Sequence, residues 1–394
     1  MKKSTLILFG IMALQSHLYG QSWVAMANIP VTLTFPVVVS LSGEIHMIGG
    51  GAASGATDIH IRYTPVTNTW DTLAPVPYLA QQPAGAVLNG KIHYFGGGYP
   101  NSGTPLDKHF VFDPTSNTWD SAAFLPQPRV IMEAAALNGK LYAIGGQPDK
   151  TLFQEYDPAS DTWTTKNPLP DQNFWYSTIA INNGEMYRFG GGGYVSPVDF
   201  IHQYNAVNDS WNLIGAIPAT VHAIAGASIN NQVILSGGYH SVSLDSTWLF
   251  NVSNQNIISG AQLPVARSYH EMVTIDSCVY SVGGDNISVP AVKTSLLRYC
   301  PGANVAIQSI ADSEIFKVIQ NPYSVQIKIL NENDFSKTAV ELIDVMGRKI
   351  FLKNAIESGA ALFEFNTSHL INSVYFVRIN IDNQFYTFKI PVTN

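Results

Sequence analysis

Residues 84–97 read AGAVLNGKIHYFGG. Two short apolar runs flank Asn89-Gly90, and the second run ends on Gly96-Gly97. Asn-Gly accepts positive φ at the centre of a tight turn, so the two runs pair as an antiparallel hairpin. Adjacent glycines closing a strand mark a place where a neighbour comes too near for a side chain. Further on, residues 110–119 read FVFDPTSNTW: a third β-prone run, a turn, and Trp119 opening a fourth. The stretch is one four-stranded antiparallel sheet, its strands met in chain order.

Outward from it the pattern recurs. Glycine pairs stand at Gly49-Gly50, Gly96-Gly97, Gly145-Gly146, Gly190-Gly191, Gly237-Gly238 and Gly283-Gly284, their first members 47, 49, 45, 47 and 46 residues apart. An aromatic residue follows each pair, at Tyr63, Phe112, Tyr156, Tyr204, Phe250 and Tyr299. Trp70, Trp119, Trp163 and Trp211 lie seven residues beyond the first four of these. One such sheet cannot bury both faces alone, so copies at a fixed period pack on one another. Six copies close radially into an all-β, six-bladed propeller. Ile257 replaces the Trp in repeat five, and repeat six has none after Tyr299, whereas Trp23 stands 47 residues before Trp70 without a glycine pair ahead of it. The strand at Trp23 is expected to complete blade six and close the ring.

Gly-Gly, then Tyr-Asp-Pro, then Trp resembles the kelch repeat, with Phe112-Asp113-Pro114 and Tyr156-Asp157-Pro158 as the nearest matches. The propeller is read over 21–301 and a linker over 302–313. From 314 to 394, short alternating strands separated by loops suggest a small, Ig-like β-sandwich. Its Asn321-Pro322, the run LIDVMGR at 342–348, Leu370 to Tyr375 and Lys389 resemble the C-terminal sorting domain of the type IX secretion system of Bacteroidota, Ser373 departing from that family's usual Gly. The resemblance implies handling by that machinery through 314–394. At the other end, Lys2-Lys3, an apolar run from Leu6 to Leu14 and Gly20 describe a secretory signal peptide over 1–20. The run is shorter than a bilayer requires, so no transmembrane segment is expected in the mature chain. The expected destination is secretion, or attachment to the outer-membrane surface after export to the periplasm.

Only 12% of the 394 residues are charged, 46% are apolar, and the formal net charge is −7 with no basic run after Lys3. That composition excludes a disordered chain and makes nucleic acid a poor partner. Cys278 and Cys300 are the only cysteines. If Val282 pairs with Leu296, the same register sets Cys278 opposite Cys300, which permits either a cross-strand disulfide or two buried thiols. No metal-ligand spacing and no cofactor motif is present. His46 and His93 fill a strand-two position held elsewhere by Tyr142, Tyr187 and Tyr280, which makes them structural.

Strand one of each blade lines the channel, so the loops entering it share one face with the loops that follow Gly-Gly; binding residues concentrate on such loops. There, Arg129 and Glu133 of blade three recur three blades on as Arg267 and Glu271, across the channel. Two Arg and two Glu at a narrow mouth suit carboxylate binding or acid–base chemistry. Alternatively each Arg pairs with the Glu four residues on. Trp175, Tyr176, Tyr269 and His270 occupy the matching stretches and offer stacking surfaces for a sugar ring. Two functions follow. One is a non-catalytic module that binds a glycan or an extracellular protein. The other is a carbohydrate enzyme similar in outline to the sialic acid mutarotases, with Glu133 and Glu271 moving protons and the arginines holding the carboxylate. Galactose oxidase also has kelch-like repeats, but seven blades and a copper site that this chain lacks.

Overall fold

The computed structural model describes residues 22–301, apart from 53–54, 100–102, 194 and 287, and the strands of the segment 309–392. The leader read at 1–20, residues 302–308, Pro322 and residues 345–348 lie outside the described residues. Among the described residues the only helix is a single 3₁₀ turn at Pro290–Thr294, and none is long and apolar enough to cross a membrane.

Six four-stranded antiparallel sheets follow the repeats. Blade one is Val37–Leu41, Glu44–Ile48, His60–Thr64 and Thr69–Thr72, in that spatial order. Blade six has Glu271–Ile275, Cys278–Val282 and Leu296–Tyr299, and its fourth place is taken by Val24–Ala25, with Val24 opposite Arg298. The first strands of successive blades pack on one another around the ring, that of blade six against that of blade one. Six apolar clusters fill the wedges between neighbouring blades; the one between blades one and two holds Val37, Val39, Ile48, Ile92, Tyr94 and Phe112. Burial is thus shared by adjacent sheets, as a lone two-faced sheet requires.

The repeat signature is a clip between blades. The turn residues Asn68, Asn117, Asp161 and Asp209 all have left-handed backbones. Their side chains accept the amides of Ala27, Ala74, Ala123 and Asn167 in the blade before, at 2.8, 3.0, 2.7 and 2.9 Å. The indoles of Trp70, Trp119 and Trp163 donate to the carbonyls of Ala27, Ala74 and Ala123. Trp23 behaves as the missing member, stacking on Tyr299 at 5.2 Å and donating to Ala261 at 3.0 Å. The glycine pairs leave room for the adjoining chain: a Cβ on Gly49 would strike the Tyr94 hydroxyl of blade two, and one on Gly50 would lie 2.6 Å from the Thr34 carbonyl. Cys278 and Cys300 are joined by a disulfide, in the register that sets Val282 opposite Leu296.

The C-terminal segment forms two four-stranded sheets. One orders Ser309–Asp312, Phe316–Asn321, Ser324–Ile329 and Leu362–Asn366; the other orders Lys349–Asn354, Ala339–Asp344, Ser373–Ile381 and Gln384–Val392. Ser309–Asp312, inside the stretch read as linker, pairs with Phe316–Asn321.

Candidate functional site

The loops entering strand one and those leaving Gly-Gly lie at one end of the ring, joined by single bridges such as Thr34↔Gly51, Gln81↔Gly98, His222↔Tyr239 and Ser268↔Asp285. Two residues before each strand one, the chain takes a left-handed turn at Phe35, Gln82, Ile131, Tyr176, Ala223 and Tyr269, with φ between 52° and 59°. No glycine or asparagine is used at these positions. Non-glycine residues there cost roughly 1–2 kcal/mol each, and a β-branched Ile131 is an outlier. The ring holds them with main-chain bonds from blade to blade: Ile131 N–H to the Gln82 carbonyl (3.3 Å), Ala223 to Tyr176 (2.7 Å), and Tyr269 to Ala223 (3.1 Å).

This turn carries three aromatic side chains over the mouth of the channel. Tyr269 meets Phe35 and Tyr176 edge-on, each pair at 5.2 Å, and the Gln82 amide donates to the Tyr176 hydroxyl at 3.2 Å. Trp175 stacks on the outer side of Tyr176 at 5.4 Å and carries the Lys150 ammonium 4.5 Å above its ring. Beneath lies a channel of about 370 Å³ whose walls come from strand one of every blade and are largely Val, Ala, Gly and Ile.

Glu133 and Glu271 line that channel. The corresponding positions in the other blades are Val37, Ala84, Thr178 and Ala225, so the repeat does not require an acid there. Enclosure pushes the Glu271 carboxyl up to about 7; its side chain reaches the channel's water yet has protein on all sides. Enclosure, and then the charge of Glu271, hold Glu133 well above the usual carboxylate range. Among the described residues no Lys or Arg lines the channel.

The arginines lie inside their blades. Arg129 is 0% and Arg267 1% exposed, and neither faces the channel nor pairs with the Glu four residues on. The Arg129 guanidinium donates to the carbonyls of Gly145 (2.9 Å) and Leu152 (3.0 Å) and to Gln154 Oε1 (2.7 Å). Arg267 donates to the Gly283 carbonyl (3.1 Å) and to Ser295 Oγ (2.9 Å). Both tie the glycine-pair turn of their own blade to the chain beyond it, and burial lowers each to about 10. His270 also lines the channel, yet is 3% exposed, meets Ser236 Oγ through Nε2 at 3.1 Å, and is held neutral by burial. The ring therefore brings together Glu133, Glu271, Tyr176, Tyr269 and His270, with Trp175 outside. It adds Phe35 and Gln82, which occupy the same repeat position as Tyr176 and Tyr269. His46 and His93 sit deep in blades one and two, 2.9 Å from His60 and His109.

Six four-stranded sheets, the last completed by the N-terminal strand, define a six-bladed β-propeller with an aromatic-covered channel at its loop face. The chain belongs to the kelch-repeat family: residues 84–284, just over half of it, match the KLHDC2/KLHL20/DRC7 Kelch-repeats domain. Residues 317–393 match the secretion system C-terminal sorting domain, which implies type IX handling and secretion or cell-surface attachment. Kelch-like protein 23 of Pongo abelii is 28% identical over 144 residues, covering 36% of this chain and 25% of that protein. Alpha-scruin of Limulus polyphemus is 23% identical over 92 residues, 21% of this chain and 10% of that one. The chain thus spans a quarter or less of the length of these relatives. The solved structure of YjhT superposes with a TM-score of 0.57 at 14% identity, over 69% of this chain and 95% of that one, a likeness of fold alone.

Proposed function

We propose that the propeller is a secreted or cell-surface binding module that presents its loop face to a glycan or an extracellular protein. In this reading a leader at 1–20 takes the chain to the periplasm and the C-terminal domain takes it onward. The observation that carries it is the aromatic cover: six strained turns at one repeat position, three of them carrying Phe35, Tyr176 and Tyr269 over the mouth with Trp175 alongside. Strain repeated at a loop face points to a site rather than to packing, and aromatic rings there suit both sugar faces and protein side chains. A glycan array probed with the full chain tests it. A selective hit that is lost in Trp175→Ala supports glycan binding. An empty array, followed by a protein partner that Trp175→Ala also loses, leaves the protein-binding form; binding that ignores Trp175 and Tyr269 refutes the loop-face site.

A second reading is favoured by the raised carboxyls alone. Glu133 and Glu271, both raised above the usual carboxylate range by enclosure, suit acid–base work on a sugar ring of the mutarotase kind. In this reading the buried Arg129 and Arg267 hold the glycine-pair turns behind the carboxyls. Glu271→Gln abolishes turnover of a ring-opening sugar in this reading, and leaves loop-face binding intact in the first.

A further inference from the structure

The channel below the aromatic cover carries a combination that the loop-face reading leaves unused. Its two carboxyls stand three blades apart and line one space, where the charge of Glu271 adds to the raising of Glu133. Enclosed carboxyls are ordinarily matched by cations. Here the two arginines that adjoin them in sequence are committed to main-chain carbonyls inside their blades. The lining offers Glu133, Glu271, His270, Tyr176 and Tyr269 as its titratable side chains, and none of these is a cation partner. Four of six blades manage this position with Val, Ala or Thr, so the pair is an addition to the scaffold.

We propose that this channel binds a small organic cation, a protonated or quaternary amine, between Glu133 and Glu271 and under the rings of Phe35, Tyr176 and Tyr269. The rings supply π electrons that attract an ammonium. The carboxylates supply the counter-charge, and the rings meet the carbon substituents that distinguish an amine from a metal ion. A volume of about 370 Å³ holds a molecule of several heavy atoms. The inference stands apart from the loop-face reading: a glycan or protein partner outside the cover neither requires nor forbids it.

Titration calorimetry on the full chain tests it with three probes at matched ionic strength: tetramethylammonium chloride, butane-1,4-diamine and calcium chloride. Saturable binding of either amine, absent for calcium, is expected. It should weaken at least about tenfold in Glu133→Gln/Glu271→Gln, since both counter-charges are gone. Should the double variant fail to fold, Glu271→Gln alone alters a solvent-reached side chain and should still weaken the amine several-fold. No saturable binding of either amine to the native chain overturns the proposal. So does binding that both variants leave unchanged, and binding of calcium alone marks a metal site instead.

Discussion

Oδ1 of Asp161 accepts the hydroxyl of Tyr156 in its own blade at 2.8 Å and the amide of Ala123 in the blade before at 2.7 Å, from a left-handed turn. One atom thus ties local conformation to ring assembly. Asp161→Ala removes both bonds and places a Cβ-bearing residue with no side-chain acceptor at positive φ. A loss of about 2–3 kcal/mol is expected by urea unfolding. Asp161→Asn keeps the acceptor and tolerates the turn, and should stay within about 1 kcal/mol of native; equal losses in the two variants would refute the clip. Glu271 gives a second test. An acid whose folded-state pKa is raised stabilises the fold while protonated, and that contribution is lost as pH climbs from the unfolded value towards the folded one. For Glu271 the window runs from the ordinary 4.5 to about 7. Glu271→Gln should therefore gain stability relative to native between about pH 5 and pH 8. A difference that does not vary with pH would show that the carboxyl is not held protonated.

Strands two and three of blades one and two carry the buried pairs His46–His60 and His93–His109, each 2.9 Å apart. Burial lowers all four, to about 4, 3, 3 and 4. The fold excludes protons that the unfolded chain takes up, so stability falls as pH drops from the ordinary 6.5 towards about 4. Blade three has Tyr142 stacked on Phe153 at the same two positions. Hydrogen exchange at about pH 4.5 should accordingly rise in blades one and two well above blade three, relative to neutral pH; uniform acceleration around the ring would count against the histidines as the cause. This level of organisation was legible in the sequence, because Gly-Gly, Tyr and Trp fall at fixed offsets and each has one structural job. The direction of the arginines was legible only in part. Their position is Leu33, Ala80, Phe174 and Val221 in the other blades, which already marks it as interior, whereas an Arg four residues before a Glu reads as an ion pair at a mouth. The left-handed turns were not legible, because Phe, Gln, Ile, Tyr, Ala and Tyr give no local signal for positive φ. The ring imposes that conformation from outside the segment.

At the scale of the whole molecule the ring is closed by Val24–Ala25 as the outer strand of blade six, a blade whose second and third strands the Cys278–Cys300 disulfide ties at one end. Deleting residues 22–27 removes Trp23, its stack on Tyr299, its bond to Ala261 and the acceptor for Trp70. The deletion should therefore cost far more than Cys278→Ser/Cys300→Ser, for which about 3 kcal/mol is expected. Comparable losses in the two variants, measured by thermal unfolding, would mean that the N-terminal strand is an ornament and not a closure.

That closure also sets a clock. Val24 and Arg298 are neighbours in space at opposite ends of the propeller sequence. The first described strand pairs with the last strand of the propeller, and the entropy of bringing such distant segments together opposes that contact until the blades between have formed. Any chain cut short before Tyr299 lacks its partner however well the middle blades have formed. Completion of the circle is thus a length check built into the topology, passed only when the final turn of the propeller has been delivered.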